Sequence, residues 1–285
     1  MAIKKFNWYN SMWFGGIKMY KLIALDMDGT LLDDQKNISE ENKKAIMEAK
    51  NQGCYVVLST GRPKAGIISY NESLKTGNIN EYLIVFNGAL VINYDTDEII
   101  SETLLENEDF KYLYNLSLQL NVNIHAFDQN QNLITPKNSK YTEVEASLNH
   151  IETHIVDFNK VTEKMIKVMF IDEPEILDEA IKKLPQEIYD RYTVVKSAPF
   201  FLEFLNKKVD KGNAVLALGE YLNIKQDEII CMGDAGNDLG MVEKAGLGIA
   251  MENAFPEVKK AAKFITKSNN ESGVAYAISK FVLEK

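Results

Sequence analysis

Short apolar runs alternate with amphipathic, helix-like segments in the part of the chain that follows Met19. The run "KLIALD" precedes "SEENKKAIMEAKNQG", in which Ser39 is a suitable N-cap and Gly53 a suitable helix stop. The strand-like "YVVLST", a helical stretch after Pro63 and the apolar run "YLIVFNGALVI" come next. Strands that alternate with helices in this way predict βαβ units and a parallel sheet.

The alternation changes near Thr103 and resumes after Asn206. Between these positions the patterns predict a helix, short strands, a polar stretch, a further strand and helix, and two neighbouring strands, "YTVVKS" and "FFLEFL". Adjacent strands are typical of an antiparallel α+β unit. We therefore predict an α/β fold in which residues 19–102 and 206–285 form a doubly wound, mainly parallel sheet, with an α+β domain inserted at residues 103–205. Residues 1–18 are predicted to be an N-terminal extension outside this fold.

Charge and cysteine content restrict the partners and the compartment. The formal net charge of -9 and the pI near 5.1 argue against a nucleic-acid binder, which needs a basic face. No stretch approaches the ~20 apolar residues of a membrane-spanning helix. Cys54 and Cys231 lie in apolar, strand-like runs and are predicted to be buried thiols, which suit a reducing cytoplasm. We expect a cytoplasmic protein without nucleic-acid or membrane partners, and the sequence carries no signal for a protein partner.

Polar residues of two motifs stand where predicted strands end. In "LIALDMDGT", Asp26 and Asp28 follow a buried strand and precede Gly29 directly. In "LSTGRP", Thr60 and Gly61 end the next predicted strand. Ligands of open α/β sheets bind beyond the carboxyl ends of the strands, so these residues are candidates for one site. Taken alone, the second motif is more often an ordinary strand-to-turn junction than a phosphate-binding loop.

Two further motifs supply a cation and oxygen ligands. "VDKGNAV" places Lys211 in the first turn of a helix, where a cation opposes the helix macrodipole unless a buried anion lies nearby. "MGDAGNDLGM" follows a strand with Asp234, Asn237 and Asp238, whose oxygens suit a hard cation. A surface lysine and an N-capped turn would explain these motifs singly. Because a doubly wound sheet would bring all four motifs together, their combination predicts one site.

The four motifs together resemble those of the haloacid dehalogenase superfamily, specifically the Cof-type phosphatases. "DMDGT", "TGR", "KG" and "GDxxND" occur in that order, and the resemblance covers the chain from Met19 to the C-terminus. It implies a Rossmann-like core under an inserted α/β cap that closes over the site. It also implies Mg²⁺-dependent hydrolysis of small phosphorylated metabolites, in the class of sugar phosphates, pyridoxal phosphate or flavin mononucleotide, through an aspartyl-phosphate intermediate.

The resemblance also implies residue roles. Asp26 would be the nucleophile, and Asp28 the general acid and base. Mg²⁺ would be held by the side chains of Asp26 and Asp234 and by the backbone carbonyl of Asp28. Asp238 would support the metal site by holding its ligands in place. The residues that would bind the phosphoryl oxygens are Met27, Thr60, Gly61, Lys211 and Asn237. Arg62 would brace the loop or contact substrate, and Asn87 would face the cap.

Three alternatives remain open from the sequence. A phosphosugar mutase of the same superfamily would use the same aspartyl phosphate and pass the phosphoryl group to a sugar. A receiver-like signalling protein also combines an acceptor aspartate, a hydroxyl residue, a lysine and Mg²⁺, but Asp28 and the inserted domain favour turnover. A binding protein without catalytic activity is disfavoured by the presence of Asp26, Asp28, Lys211 and Asp234 together.

Overall fold

The structure is a computed structural model that describes residues 20–77 and 80–284, so the predicted extension at residues 1–18 lies outside the described residues. The first elements are β1 (Leu22–Leu25), α1 (Glu40–Asn51), β2 (Tyr55–Ser59), α2 (Ile68–Ser73), β3 (Tyr82–Val85), β4 (Leu90–Asn93) and β5 (Ile99–Glu102). Then follow α3 (Asn107–Leu120), β6 (Asn123–Asp128), β7 (Leu133–Thr135), α4 (Lys140–Asn149), β8 (Thr153–Ile155), β9 (Met165–Ile171), α5 (Pro174–Lys182), α6 (Glu187–Arg191), β10 (Tyr192–Ala198) and β11 (Phe201–Asn206). The last are α7 (Lys211–Tyr221), β12 (Ile229–Gly233), α8 (Leu239–Lys244), β13 (Leu247–Ala250), α9 (Pro256–Ala261), β14 (Phe264–Ile265) and α10 (Gly273–Ile278).

The core is an eight-stranded sheet in the order β14-β13-β12-β1-β2-β3-β4-β5. Its strands are parallel from β14 to β3, and β4 and β5 continue the sheet in antiparallel fashion. In β1, Ile23 and Leu25 join the apolar cluster that includes α1 and α10, while Leu22 and Ala24 join the cluster that includes α7. Burial on both faces explains why this strand is continuously apolar, and confirms the predicted doubly wound α/β fold.

Two local predictions can be compared with the core directly. Ser39 is the N-cap of α1 and accepts a hydrogen bond from the backbone N–H of Asn42, as predicted. Gly53 follows the helix with a φ of +85°, a conformation that glycine adopts without strain. The apolar run "YLIVFNGALVI" forms two antiparallel strands, β3 and β4, because the chain reverses at Phe86–Gly88.

The chain forms a separate sheet between β5 and α7, and we call residues 103–205 of this part the insertion. Its strand order is β10-β11-β9-β6-β7-β8, and all its neighbouring strands are antiparallel except β7 and β8. The predicted polar stretch after Thr135 contains a helix, α4, whose N-cap Ser139 accepts a hydrogen bond from the N–H of Thr142. Few apolar residues mark this helix, which explains why the hydrophobic pattern does not predict it.

A buried charged cluster lies between α4 and the sheet of the insertion. The Nζ of Lys167, on β9, is 3.3 Å from Glu203 on β11 and 3.7 Å from Glu145 on α4. All three side chains are less than about a tenth exposed. His125 lies on the neighbouring strand, fully buried, with its Nε2 3.1 Å from the sulfur of Met169.

Two of the contacts between the insertion and the core lie near the strand ends of the core. The side-chain amide of Asn206 donates a 2.7 Å hydrogen bond to the carbonyl of Leu104, which ties the two connecting segments together. The ring of Phe86, directly after β3, packs edge-on against Phe127 of the insertion with 5.1 Å between ring centres. The insertion therefore stands over the edge of the sheet at which β1, β2 and β3 end.

Candidate active site

Asp26, directly after β1, is joined to a buried lysine from the opposite half of the core. The Nζ of Lys211 donates to Asp26 Oδ1 at 2.6 Å and to Asp238 Oδ1 at 2.7 Å. Lys211 is fully buried at the first residue of α7, whose N-cap is Asp210. The anions that the sequence led us to expect beside this lysine are therefore these two carboxylates.

The electrostatics of this cluster follow from its burial. Burial raises the pKa of Asp26 well above its usual range, and the charge of Asp238 adds to this, although Lys211 opposes it. Burial alone would lower the pKa of Lys211, but Asp238 and Asp26 raise it above its ordinary value. Burial also raises the pKa of Asp234 to about 6, against the hydrogen bond that Thr30 donates to it. At Asp26 and Asp234, burial together with the repulsion between the acids therefore outweighs the attraction of the single lysine.

The same acids form a group that could hold a metal ion. Carboxylate oxygens of Asp26, Asp234 and Asp238 lie within 4.8 Å of one another. Hard divalent cations such as Mg²⁺ take oxygen ligands, and a cation here would relieve the carboxylate repulsion, so the residues fit such an ion. Gly29 has a φ of +86°, and a Cβ on it would stand 2.5 Å from Asp234 Oδ2. The glycine of "DMDGT" thus lets the two acidic loops approach.

Asp238 differs from the other two acids in having both oxygens occupied. Its Oδ1 accepts from Lys211, and its Oδ2 accepts from the backbone N–H groups of Asp234 and Ala235 at 3.0 Å each. These bonds hold the turn that carries Asp234 in place. They favour a supporting role for Asp238 over direct ligation of a metal.

Asp28 lies at the mouth of the site, where two cations bind it. Arg62 donates through Nη2 to Oδ1 at 2.7 Å and through Nε to Oδ2 at 3.1 Å, and Lys36 donates to Oδ1 at 2.8 Å. Partial burial would raise the pKa of Asp28, but the hydrogen bonds and charges of Lys36 and Arg62 lower it. Arg62 therefore contacts the predicted acid/base residue directly, and its two hydrogen bonds restrain the orientation of that carboxylate.

The remaining predicted residues line the strand ends beside Asp26. Thr60 is buried, and its backbone carbonyl accepts from the N–H of Asn87, while the Asn87 side chain accepts a 3.0 Å hydrogen bond from Asn237. A Cβ on Gly61 would stand 3.2 Å from the Asn87 amide. Met27 is buried, and its carbonyl accepts the N–H of Leu32. The structure thus brings residues from all four motifs to one edge of the sheet.

Sequence reasoning missed several residues that shape this site. Thr30, whose hydroxyl donates to Asp234 at 2.8 Å, belongs to the "DMDGT" motif and could have been identified there. The sequence contains no signal for Lys36 and Tyr70, because their contacts depend on the conformation of the loop that carries Lys36. Asn253, whose amide donates to the Gly29 carbonyl at 2.7 Å, is separated from it by most of the chain.

Both cysteines are buried and unpaired, as predicted, and no helix among residues 20–77 and 80–284 is long and apolar enough to cross a membrane.

Comparisons with known proteins show the family to which this chain belongs. Residues 23–278 match the family model of the haloacid dehalogenase-like hydrolases. YxeH of Bacillus subtilis is 47% identical over 271 residues, which cover 94% of this chain and all of that protein. The B. subtilis 5-amino-6-(5-phospho-D-ribitylamino)uracil phosphatase YcsE is 33% identical and covers 92% of this chain and 96% of its own. The crystal structure of TM0651 from Thermotoga maritima superimposes with a TM-score of 0.81 at 34% identity, over 92% of this chain and 97% of that one. The chain therefore belongs to the haloacid dehalogenase-like hydrolases, as a phosphatase of the Cof type.

Proposed function

We propose that this phosphatase hydrolyses small phosphorylated metabolites with Mg²⁺, through an aspartyl phosphate on Asp26. The observation that carries the proposal is the placement of Asp26, whose carboxylate lies 2.6 Å from a fully buried lysine and within reach of two further acids. A nucleophile that must approach a phosphate dianion needs such compensating positive charge. Asp28, two residues after Asp26, lies outside this cluster, at the mouth of the site, where Lys36 and Arg62 bind it.

The reaction has two steps. Asp26 attacks the phosphorus while Asp28, in its protonated form, gives its proton to the departing alkoxide, so the leaving group departs as an alcohol and Asp28 is left as a carboxylate. Asp28 then takes a proton from water, whose oxygen attacks the phosphorus and releases Asp26. Bound Mg²⁺ supplies positive charge that lowers the repulsion between carboxylate and phosphate. We assign its ligands to Asp26, Asp234 and the backbone carbonyl of Asp28, with Asp238 holding the Asp234 turn.

Neutral and cationic donors at the same strand ends would bind the phosphoryl group. Lys211 supplies a positive charge, and the other proposed contacts are Met27, Thr60, Gly61 and Asn237. Lys211 is already placed against Asp26, so its ammonium would face both the nucleophile and the incoming phosphate. We further assign Arg62, whose backbone carbonyl accepts the N–H of Phe86, and Asn87 to the substrate side of the site.

The insertion acts as the cap in this proposal, with residues 19–102 and 206–285 as the catalytic core. Phe86 and Phe127 bring the two parts together beside Asn87, so a leaving group bound there would touch both. Closure would exclude water during the first step. The relative YcsE is named for a phosphorylated ribitylaminouracil, and we propose a substrate of the wider class of sugar, pyridoxal or flavin phosphates. The two unpaired, buried cysteines support a cytoplasmic location.

Phosphate release from a panel of phosphorylated metabolites tests the proposal. We expect release that needs Mg²⁺, stops with EDTA and is lost in Asp26→Asn. Asp178→Asn, an exposed acid of α5 paired with Lys196, is the matched control and should keep wild-type activity. Release that persists in Asp26→Asn would overturn the nucleophile assignment. Transfer of phosphate to an added sugar without free phosphate would overturn hydrolysis in favour of phosphotransfer.

A further inference from the structure

Lys36 is a second cation on Asp28 that none of the four motifs contains. Oδ1 of Asp28 accepts two charged donors, Lys36 Nζ at 2.8 Å and Arg62 Nη2 at 2.7 Å. Oδ2 accepts one, Arg62 Nε at 3.1 Å. The two oxygens of this carboxylate are therefore not equivalent. One is anchored from two sides, and the other keeps capacity for a further partner.

The loop that carries Lys36 is held by bonds unrelated to its ammonium group. Asp33 accepts the N–H groups of Gln35 and Asn37 through its side chain, and the N–H of Lys36 through its carbonyl. Lys36 itself has a φ of +64°, which side-chain-bearing residues rarely adopt. This strained conformation aims the lysine at Asp28.

Tyr70, on α2, connects the two cations. Its hydroxyl donates to the carbonyl of Lys36 at 3.1 Å, and the guanidinium of Arg62 lies 5.8 Å from the centre of its ring. The Lys36–Asp28 pair is about half exposed, and exposed pairs contribute little to folding stability. A strained loop that places such a pair at the site mouth indicates a role other than folding.

We infer that Lys36 is a positioning residue: with Arg62 it fixes Oδ1 of Asp28, so that Oδ2 is the atom that exchanges the proton. This inference rests on the proposed function. In the first step the Oδ2–H bond breaks, the proton passes to the leaving oxygen, and the P–O bond to that oxygen breaks as Asp26 bonds phosphorus. In the second step Oδ2 takes a proton from the attacking water. Without Lys36, the carboxylate rotates more freely and Oδ2 is misplaced.

The test exploits leaving groups that do and do not need this proton. The kcat/KM of a phosphatase reports the first step, in which an alkoxide must be protonated but p-nitrophenolate need not be. For Lys36→Met we expect kcat/KM to fall about 10- to 100-fold with the best alkyl phosphate of the panel, and less than about threefold with p-nitrophenyl phosphate. Lys36→Arg, which keeps a cationic donor, should recover most of the loss.

Two further variants make each outcome decisive. Lys164→Met is the matched control, because Lys164 pairs with Glu106 at the same 2.8 Å and is similarly exposed, but lies in the insertion; it should behave as wild type. Asp28→Asn should discriminate between the leaving groups more strongly than Lys36→Met. If Asp28→Asn discriminates and Lys36→Met does not, only the inference about Lys36 is wrong. If Asp28→Asn does not discriminate, the proposed role of Asp28 is wrong and the inference fails with it.

Discussion

Replacement of Lys167 by methionine tests whether the buried charged cluster of the insertion is held by its single cation. Lys167 lies 3.3 Å from Glu203 and 3.7 Å from Glu145. At an effective dielectric constant of about 20, each attraction is worth about 4–5 kcal/mol, much of which offsets the cost of burying the charges. Loss of the lysine leaves two buried carboxylates without compensation. We expect the free energy of unfolding to fall by about 3–5 kcal/mol.

Urea unfolding followed by far-UV circular dichroism measures this loss. A second substitution, Glu203→Gln in the Lys167→Met background, should recover part of the stability, because one uncompensated charge then disappears. Lys160→Met is the control: Lys160 pairs with Asp157 at 3.6 Å but is 85% exposed, so its loss should change stability by less than about 0.5 kcal/mol. A loss below about 1 kcal/mol in Lys167→Met, or a double variant less stable than the single one, would refute the reasoning.

Three further outcomes are expected. Gly29→Ala should abolish most activity, since its Cβ would displace Asp234, whereas Gly53→Ala, at a similar φ but with open space around it, should cost only about 1–2 kcal/mol of stability and leave activity intact. Asp234→Asn should raise the Mg²⁺ concentration for half-maximal phosphate release more than about tenfold, while an unchanged requirement would exclude it as a ligand. Burial, with the charge of Lys167, lowers the pKa of His125 to about 3. The unfolded chain therefore takes up a proton as the pH falls from about 6.5 towards 3 and the folded chain does not, so from pH 7.5 to 5 wild type should lose about 2 kcal/mol more than His125→Gln.

Sequence patterns predicted the elements whose signals are local. Ser39 and Gly53 delimit α1 because capping and positive φ are properties of single residues. The continuous apolar run of β1 predicted a strand buried on both faces, and its position in the centre of the sheet agrees. Helix α4 was missed because three of its four buried residues, Thr142, Glu145 and Asn149, are polar, so that its hydrophobic pattern is weak.

The candidate site was predictable where chemistry follows a motif, and not where it depends on tertiary contacts. The four motifs place Asp26, Lys211 and Asp234 at one edge, and the structure brings them together. The contacts of Asn87 with Asn237 join residues 150 positions apart. Likewise, Lys36 reaches Asp28 through a backbone conformation that lysine does not favour. The local sequence contains no signal for either contact. The catalytic roles of these residues stay predictions that the proposed experiments decide.

The split core has a consequence for synthesis of the protein. Strand β1 pairs on one side with β2, but its other neighbour is β12, with Leu22 opposite Ile229. During translation this edge of β1 stays open until the ribosome has made the insertion and α7, whereas the insertion already contains all partners of its own sheet. Pairing across such a distance in sequence is slow to form. Asp26 therefore meets Lys211 and Asp234 only after most of the chain has emerged, and a chain released early carries the nucleophile but no site.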